Sequence, residues 1–243
     1  MEKRRDSQAL KALLGVRQLV LGGSVQPGQR LSEIGLSEQL EISRTPLRAA
    51  LARLEQEGLL EPLPSGGYTV RAFTLADVID AIELRGVLEG TAARLAAERG
   101  VAPERLKAIR DLVDELDTCF RERPEDMLFD QYVELNTEFH AMLAGLAGSE
   151  TMRREVERAM HLPFASPSAF LENQADVLAF RRSLSHAQRQ HRDIVEAIAM
   201  REGARAEALG REHARLARKN LDFVVGEAPN LIGRVPGLSL IAT

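Results

Sequence analysis

The chain has 243 residues, enough for one large domain or two smaller ones, and 44% of them are hydrophobic. Tryptophan is absent and aromatics are only 4%, so a core of Leu, Ala, Val and Ile is expected, and the one cysteine, Cys119, excludes an internal disulfide framework. A net charge of −4 excludes a uniformly basic nucleic-acid binder, yet residues 1–73 carry 10 Lys/Arg against 8 Asp/Glu while the remainder carries 22 against 28.

The opening stretch MEKRRDSQALKALLGV places basic residues before a helix-like pattern, with no continuous apolar run and no small-residue cleavage site. It reads as no signal peptide. No segment approaches the roughly 18 uninterrupted apolar residues of a membrane span. A cytoplasmic protein without a membrane partner is the expectation.

Along residues 8–21, Leu10, Leu13, Leu14, Val20 and Leu21 recur at helical spacing before Gly22-Gly23 and Pro27-Gly28 break the chain. Ser32 is placed to cap a short helix carrying Leu36 and Leu40. After Glu41-Ile42, Ser43 is placed to cap another, with Pro46 in its first turn, where a missing N–H costs little. That second helix aligns Leu47, Ala50, Leu51 and Leu54 and stops at Gly58. Arg44, Arg48 and Arg53 stand between Ile42 and Leu54 with no acidic residue among them. Two short helices joined by a tight turn, the second exposing Arg44, Thr45 and Arg48, describe a helix-turn-helix. Strand-like residues 59–63 and 68–71 then flank Pro64-Ser65-Gly66-Gly67, which reads as a small β-hairpin, or wing.

From Thr74 the pattern is helical, with helices expected over 74–99, 103–122, 126–147, 149–161, 174–202 and 203–224 and a break at Leu162–Pro167. The fold class is therefore mainly α. A winged helix-turn-helix of three helices and a small hairpin (1–73) precedes an all-α helical bundle (74–226), and an irregular tail follows (227–243).

Two groups of residues carry chemistry. At a helix N-terminus, free N–H groups and the helix dipole favour a phosphate, and an arginine one turn along can read guanine or hold the backbone. Arg44, Thr45 and Arg48 fit that description; isolated arginines more often mark only a solvated face. In the helical region, Asn136 and His140 are one turn apart, His191 lies on the stripe leading to Ile198, and His213 lies between Leu209 and Leu216. A lone core histidine is usually just hydrogen-bonded. Three on three helices, with Asn136 as an oxygen donor, suit Zn, Ni or a similar divalent transition metal. Arg85 shares a stripe with Val78, Ile82 and Glu89, either as a partner for a ligand carboxylate or as an i,i+4 ion pair with Glu89.

The segments PGQRLSE (27–33), LSEQL (36–40), SRTPLRAAL (43–51) and LEQEGL (54–59) closely resemble the DNA-binding domain of GntR-family regulators. The resemblance implies major-groove contacts from Arg44, Thr45 and Arg48 and a wing contact at Gly66. Ile34 stands where some members carry a DNA-contacting arginine. ELRGVLE (83–89), NTEFH (136–140) and HRDIVEAI (191–198), with His213, resemble the FCD effector domain of the FadR subfamily, and six helices match its VanR-like branch. This implies a metal held by Asn136, His140, His191 and His213, with Asn in place of the more usual Asp. Without a protein carboxylate among those ligands, an anionic effector is favoured, and Arg85 would meet it.

Together these readings describe a transcriptional regulator, most often a repressor in that family, and not an enzyme. A homodimer is expected on a pseudo-palindromic double-stranded DNA operator, controlled by a small carboxylate effector. The alternatives are the same fold with a metal-free ligand site and a zinc-dependent hydrolase. The hydrolase lacks an HExxH motif and a general base paired with the histidines.

Overall fold

The structure, a computed structural model, describes residues 2–162, 165–166, 178–226 and 238–241. The chain divides into two compact units, Met1–Val78 with Pro236–Thr243 and Ile79–Val235.

The first unit holds α1 (Glu2–Leu21), β1 (Arg30–Leu31), α2 (Glu33–Leu40), α3 (Arg44–Gln56), β2 (Leu60–Pro62) and β3 (Tyr68–Val70). Ser32 caps α2 as expected, its hydroxyl accepting the Gly35 N–H at 3.2 Å. The turn into α3 places Glu41 in the left-handed region (φ 54°), a conformation costing a non-glycine residue about 1 kcal/mol. Hydrogen bonds offset it: Ile42 N–H to the Ser37 carbonyl at 3.1 Å, and the Ser37 hydroxyl to the Ile42 carbonyl at 2.6 Å. Ser43 differs from expectation. Its backbone is extended, as a cap requires, but its hydroxyl makes no capping bond, which leaves the first N–H groups of α3 without a side-chain acceptor.

Leu47, Ala50, Leu51 and Leu54 bury one face of α3 in a core shared with Ala12, Val16 and Val20 of α1. Glu57, just beyond α3, is buried between Arg17 of α1 and Arg53 of α3 and so ties the two helices together. The wing is larger than a hairpin. β3 pairs antiparallel with both neighbours in the order β1-β3-β2, with Leu31 opposite Tyr68 and Leu60 opposite Val70. A two-residue strand is too short for its side-chain alternation to register as a periodic pattern, which is why β1 escapes the sequence reading.

The tail also departs from an irregular reading where it is described. Leu238–Leu240 forms a 3-10 turn, Leu238 and Leu240 are buried, and the Phe73 N–H donates to the Leu240 carbonyl at 2.9 Å. Phe73 and Ile241 form a parallel bridge. Leu238, Leu240 and Ile241 thus belong to the first unit. The remainder of 227–243 lies outside the described residues.

The second unit comprises α4 (Leu75–Arg99, its first turn in the first unit), α5 (Pro103–Thr118), α6 (Phe129–Leu146), α7 (Glu150–Met160), α8 (Leu178–Ala199) and α9 (Gly203–Gly226). These are the six expected helices among the described residues. Helix α5 ends four residues short of the predicted 122, and a 3-10 turn at Pro124–Asp126 precedes α6. The predicted start of α8 at 174 lies outside the described residues.

The core runs through α5, α6, α8 and α9 and includes Leu116, Tyr132, Phe139, Leu143, Ile194 and Ala206. Helix α4 meets α9 at a glycine crossing. A Cβ on Gly210 would sit 2.9 Å from the Gly90 Cα, and one on Gly90 would sit 2.7 Å from the Glu207 carbonyl oxygen. Close backbone approach there brings Arg85 and Glu89 of α4 beside His213 of α9. No described helix is long and apolar enough to cross a membrane.

Candidate functional site

In the first unit, Arg44, Thr45 and Arg48 are all exposed on α3, and Gly66 is exposed at the wing tip. One groove is lined by Arg30, Ser32, Glu33, Ile34, Arg44, Gly66 and Gly67, so the start of α3 and the wing share a surface. The Gly66-Gly67 pair has positive φ (83° and 86°), which turns the wing tightly enough to expose its backbone. Arg48 points its Nε at Glu33 Oε2, 2.8 Å away on α2, an exposed pair of small energetic weight that a phosphate can displace.

Arg30 is the residue the sequence reading missed. It lies on β1, and its guanidinium donates to the Gly66 carbonyl at 3.0 Å, joining the wing tip to the groove that also holds Arg44. Its signal was present in the Pro27–Glu33 stretch, but only the strand pairing turns it toward the wing. Ile34 is 55% exposed in the same groove, so the arginine it replaces would have faced this surface.

In the second unit, His140 (α6), His191 (α8) and His213 (α9) converge, and one nitrogen from each lies within 4.8 Å of the other two. The His191 and His213 Nε2 atoms are 3.1 Å apart, and those of His213 and His140 are 3.4 Å apart. Each Nδ1 has an oxygen behind it: Glu89 Oε1 at 2.8 Å for His140, Gln188 Oε1 at 3.0 Å for His191, and Gln190 Oε1 at 3.2 Å for His213. The Gln188 amide is fixed in that sense because its NH₂ donates to the Val113 carbonyl at 2.9 Å and to Asp117 Oδ1 at 2.8 Å.

These partners decide the tautomers. An Nδ1 facing a carboxylate or an amide oxygen carries the proton, which leaves Nε2 as a bare lone pair. Burial, together with neighbouring imidazoles, holds His191 and His213 well below the usual 6.5, so both are neutral. The Nε2 lone pairs of His191 and His213 therefore point at one small volume, with the His140 Nε2 beside them. Zn–N bonds of about 2.0–2.1 Å place ligand nitrogens about 2.9 Å apart at a right angle and about 3.4 Å apart at the tetrahedral angle. The His191–His213 and His213–His140 separations fall in that range, and the donor set suits one divalent transition ion.

Asn136 is buried on α6 and lines the same cavity as His140, His213 and Arg85. Glu89 is the second residue missed. It stands behind His140 as a carboxylate that orients the imidazole and offsets positive charge, a role the sequence reading had left empty. Burial pushes its pKa up, but the His140 imidazole and the Arg85 guanidinium outweigh that and hold it at about 2. Arg85 approaches Glu89 Oε2 at 3.6 Å, the i,i+4 ion pair, and donates to the Ala165 carbonyl at 3.1 Å. His161 is exposed, with its Nδ1 2.6 Å from the Glu157 carbonyl oxygen, and neither it nor His186 belongs to the cluster.

Residues 9–70 match the family model for bacterial regulatory proteins of the gntR family, and residues 80–216 match the FCD domain. The Nta operon transcriptional regulator of Aminobacter aminovorans is 37% identical over 131 residues, 54% of this chain and 60% of that protein. An HTH-type transcriptional regulator in an unstable DNA locus of Streptomyces ambofaciens is 30% identical over 90% of this chain and 86% of its own. Among solved structures, E. coli McbR/YncC superposes with a TM-score of 0.63 at 19% identity, covering 90% of this chain and 97% of that one, a likeness of fold.

Proposed function

The chain belongs to the gntR family of bacterial regulatory proteins, with an FCD domain as its second part, and is a DNA-binding transcriptional regulator; we propose that its operator affinity is set by a small carboxylate bound at a metal in the helical unit. The observation that carries this reading is the convergence of three imidazole nitrogens, each ring held from behind by an oxygen. In this reading His140, His191, His213 and Asn136 hold a divalent transition ion, Zn or Ni by the chemistry of imidazole donors. The ion supplies a Lewis-acid position for ligand oxygens. Glu89 keeps His140 in register, and Arg85 supplies positive charge at the cavity wall.

The protein acts as a homodimer, because one α3 covers a single half-site of a pseudo-palindromic operator. Arg44, Thr45 and Arg48 enter the major groove while Gly66 and the wing meet the adjacent backbone. Repression is the proposed sign, the more frequent one in the family. The effector works by binding one dimer geometry more tightly than another, and only that difference shifts DNA affinity.

Elemental analysis of purified, metal-replete full-length protein tests the centre. About one transition ion per chain is expected, with loss in His191→Ala while the circular dichroism spectrum stays helical. Negligible metal after incubation with Zn or Ni overturns it and leaves a metal-free ligand site.

A further inference from the structure

Helix α4 starts inside the first unit and runs on into the second, so the direction it takes is decided at its first turn. The chain there is held from several sides. Thr74 and Asp77 cap the helix reciprocally: the Asp77 carboxylate accepts the Thr74 N–H at 2.8 Å and its hydroxyl at 2.6 Å, and the Asp77 N–H donates to the Thr74 hydroxyl at 3.1 Å. Arg71, just past β3, donates to Asp77 Oδ1 at 3.3 Å and lays its guanidinium over the Phe73 ring, 4.9 Å from the centroid. Val78 closes the turn from below, fully buried.

The last support comes from the other end of the sequence. Phe73, the residue before the α4 cap, gives its N–H to the Leu240 carbonyl and bridges Ile241, while Leu238 and Leu240 are buried and their turn packs on α1. The C-terminal segment therefore closes on the junction from which α4 departs. Reading of a half-site by one unit has other supports. Helix α3 packs on α1 through Leu47, Ala50 and Leu51, and the wing strand β3 is paired on both edges.

We propose that Leu238–Ile241 is a lock on the α4 junction and that it sets the half-site spacing the dimer accepts. The inference rests on the reading of the protein as a dimer on a two-half-site operator and adds to it a determinant of operator geometry. Two recognition helices must fall about 34–36 Å apart to enter successive major grooves. Helix α4 has 25 residues, a lever about 37 Å long at about 1.5 Å per residue. With one DNA-binding unit seated on its half-site, a tilt of about 10° at the junction carries the far end of that lever about 6 Å, nearly two base-pair steps of about 3.4 Å. A junction that yields by this much accepts several spacings. One closed by two buried leucines and a backbone bridge accepts one.

The test uses full-length protein and fluorescence anisotropy on duplexes carrying two half-sites selected from random DNA, spaced from three base pairs too close to three too far, with a single half-site as reference. Wild type is expected to favour one spacing about tenfold or more over those two base pairs away. Leu240→Ala, and Ile241→Ala as a milder disturbance of the same contact, should narrow that preference to about threefold or less and leave single-half-site affinity within about twofold. An unchanged spacing profile in both variants overturns the lock and leaves the operator reading standing. Equal losses at the single half-site and at every spacing also overturn it, since the segment then only supports the fold of the DNA-binding unit. A wild-type protein indifferent to spacing overturns the two-half-site reading, and the lock with it.

Discussion

The two units treat polar side chains in opposite ways. In the DNA-binding unit Arg30, Arg44 and Arg48 stand in water, and their contacts are exposed bonds to Gly66 and Glu33 that cost little to exchange. In the helical unit Arg85, Glu89, His140, His191 and His213 are buried and are fastened to one another and to glutamine amides. A phosphate backbone is met by charge that waits in solvent. In the proposed function a small ligand is met by groups already desolvated, so each group must be satisfied internally or left open.

The largest expected effect follows from breaking the buried side of that comparison. Glu89→Ala strips the partner from Arg85 and from His140 together. Leaving a buried charge uncompensated costs about 3–5 kcal/mol, and loss of an outer-shell carboxylate lowers metal affinity about 10–100-fold. Urea unfolding and a zinc competition titration should show both losses; a drop in stability without any change in zinc affinity would detach Glu89 from the metal centre. Next in size is Leu240→Ala. It removes a fully buried side chain that docks near the end of the chain onto the DNA-binding unit, and about 2–4 kcal/mol of that unit's stability should go with it. Hydrogen exchange at Phe73 and along α1 would report the change, and unaltered protection there would show that the contact contributes nothing.

The smallest structural effects and the cleanest functional ones belong to the exposed side. Arg48→Ala should leave the melting temperature within about 1 °C, since surface changes cost under about 0.5 kcal/mol, yet weaken operator binding by about 1–3 kcal/mol. Arg30→Ala should cost less affinity and lower the salt slope of binding by about one phosphate contact. Fluorescence anisotropy on an operator selected from random DNA, repeated at several salt concentrations, separates the two. An Arg30 variant with the wild-type salt slope would confine that residue to supporting the wing.

Much of this protein was legible in its sequence because the relevant physics is local. Helical periodicity, the Ser32 cap, Pro46 in a first turn and Gly58 after a last one act within a few residues, and each predicted helix has an observed counterpart. The exposed positions of Arg44, Thr45 and Arg48 were legible for the same reason, since a contiguous helix face needs no partner to define it. The apolar stripes also placed His140, His191 and His213 toward the interior.

Tertiary structure alone decided what stands behind and between those side chains. Glu89 reaches His140 across 51 residues, and His191 reaches His213 across 22. The α4–α9 glycine crossing sets how near Arg85 comes to the cavity. Periodicity locates a side chain only to a helical face. Tautomers and second partners depend on distances of an ångström, and those exist only once the helices have packed. The same holds for Arg30 and for Leu240, whose short segments carry no period and acquire meaning only from the strand and the helix they join. The sequence by itself thus determined which elements form and which faces turn inward; packing determined which of those faces hold chemistry.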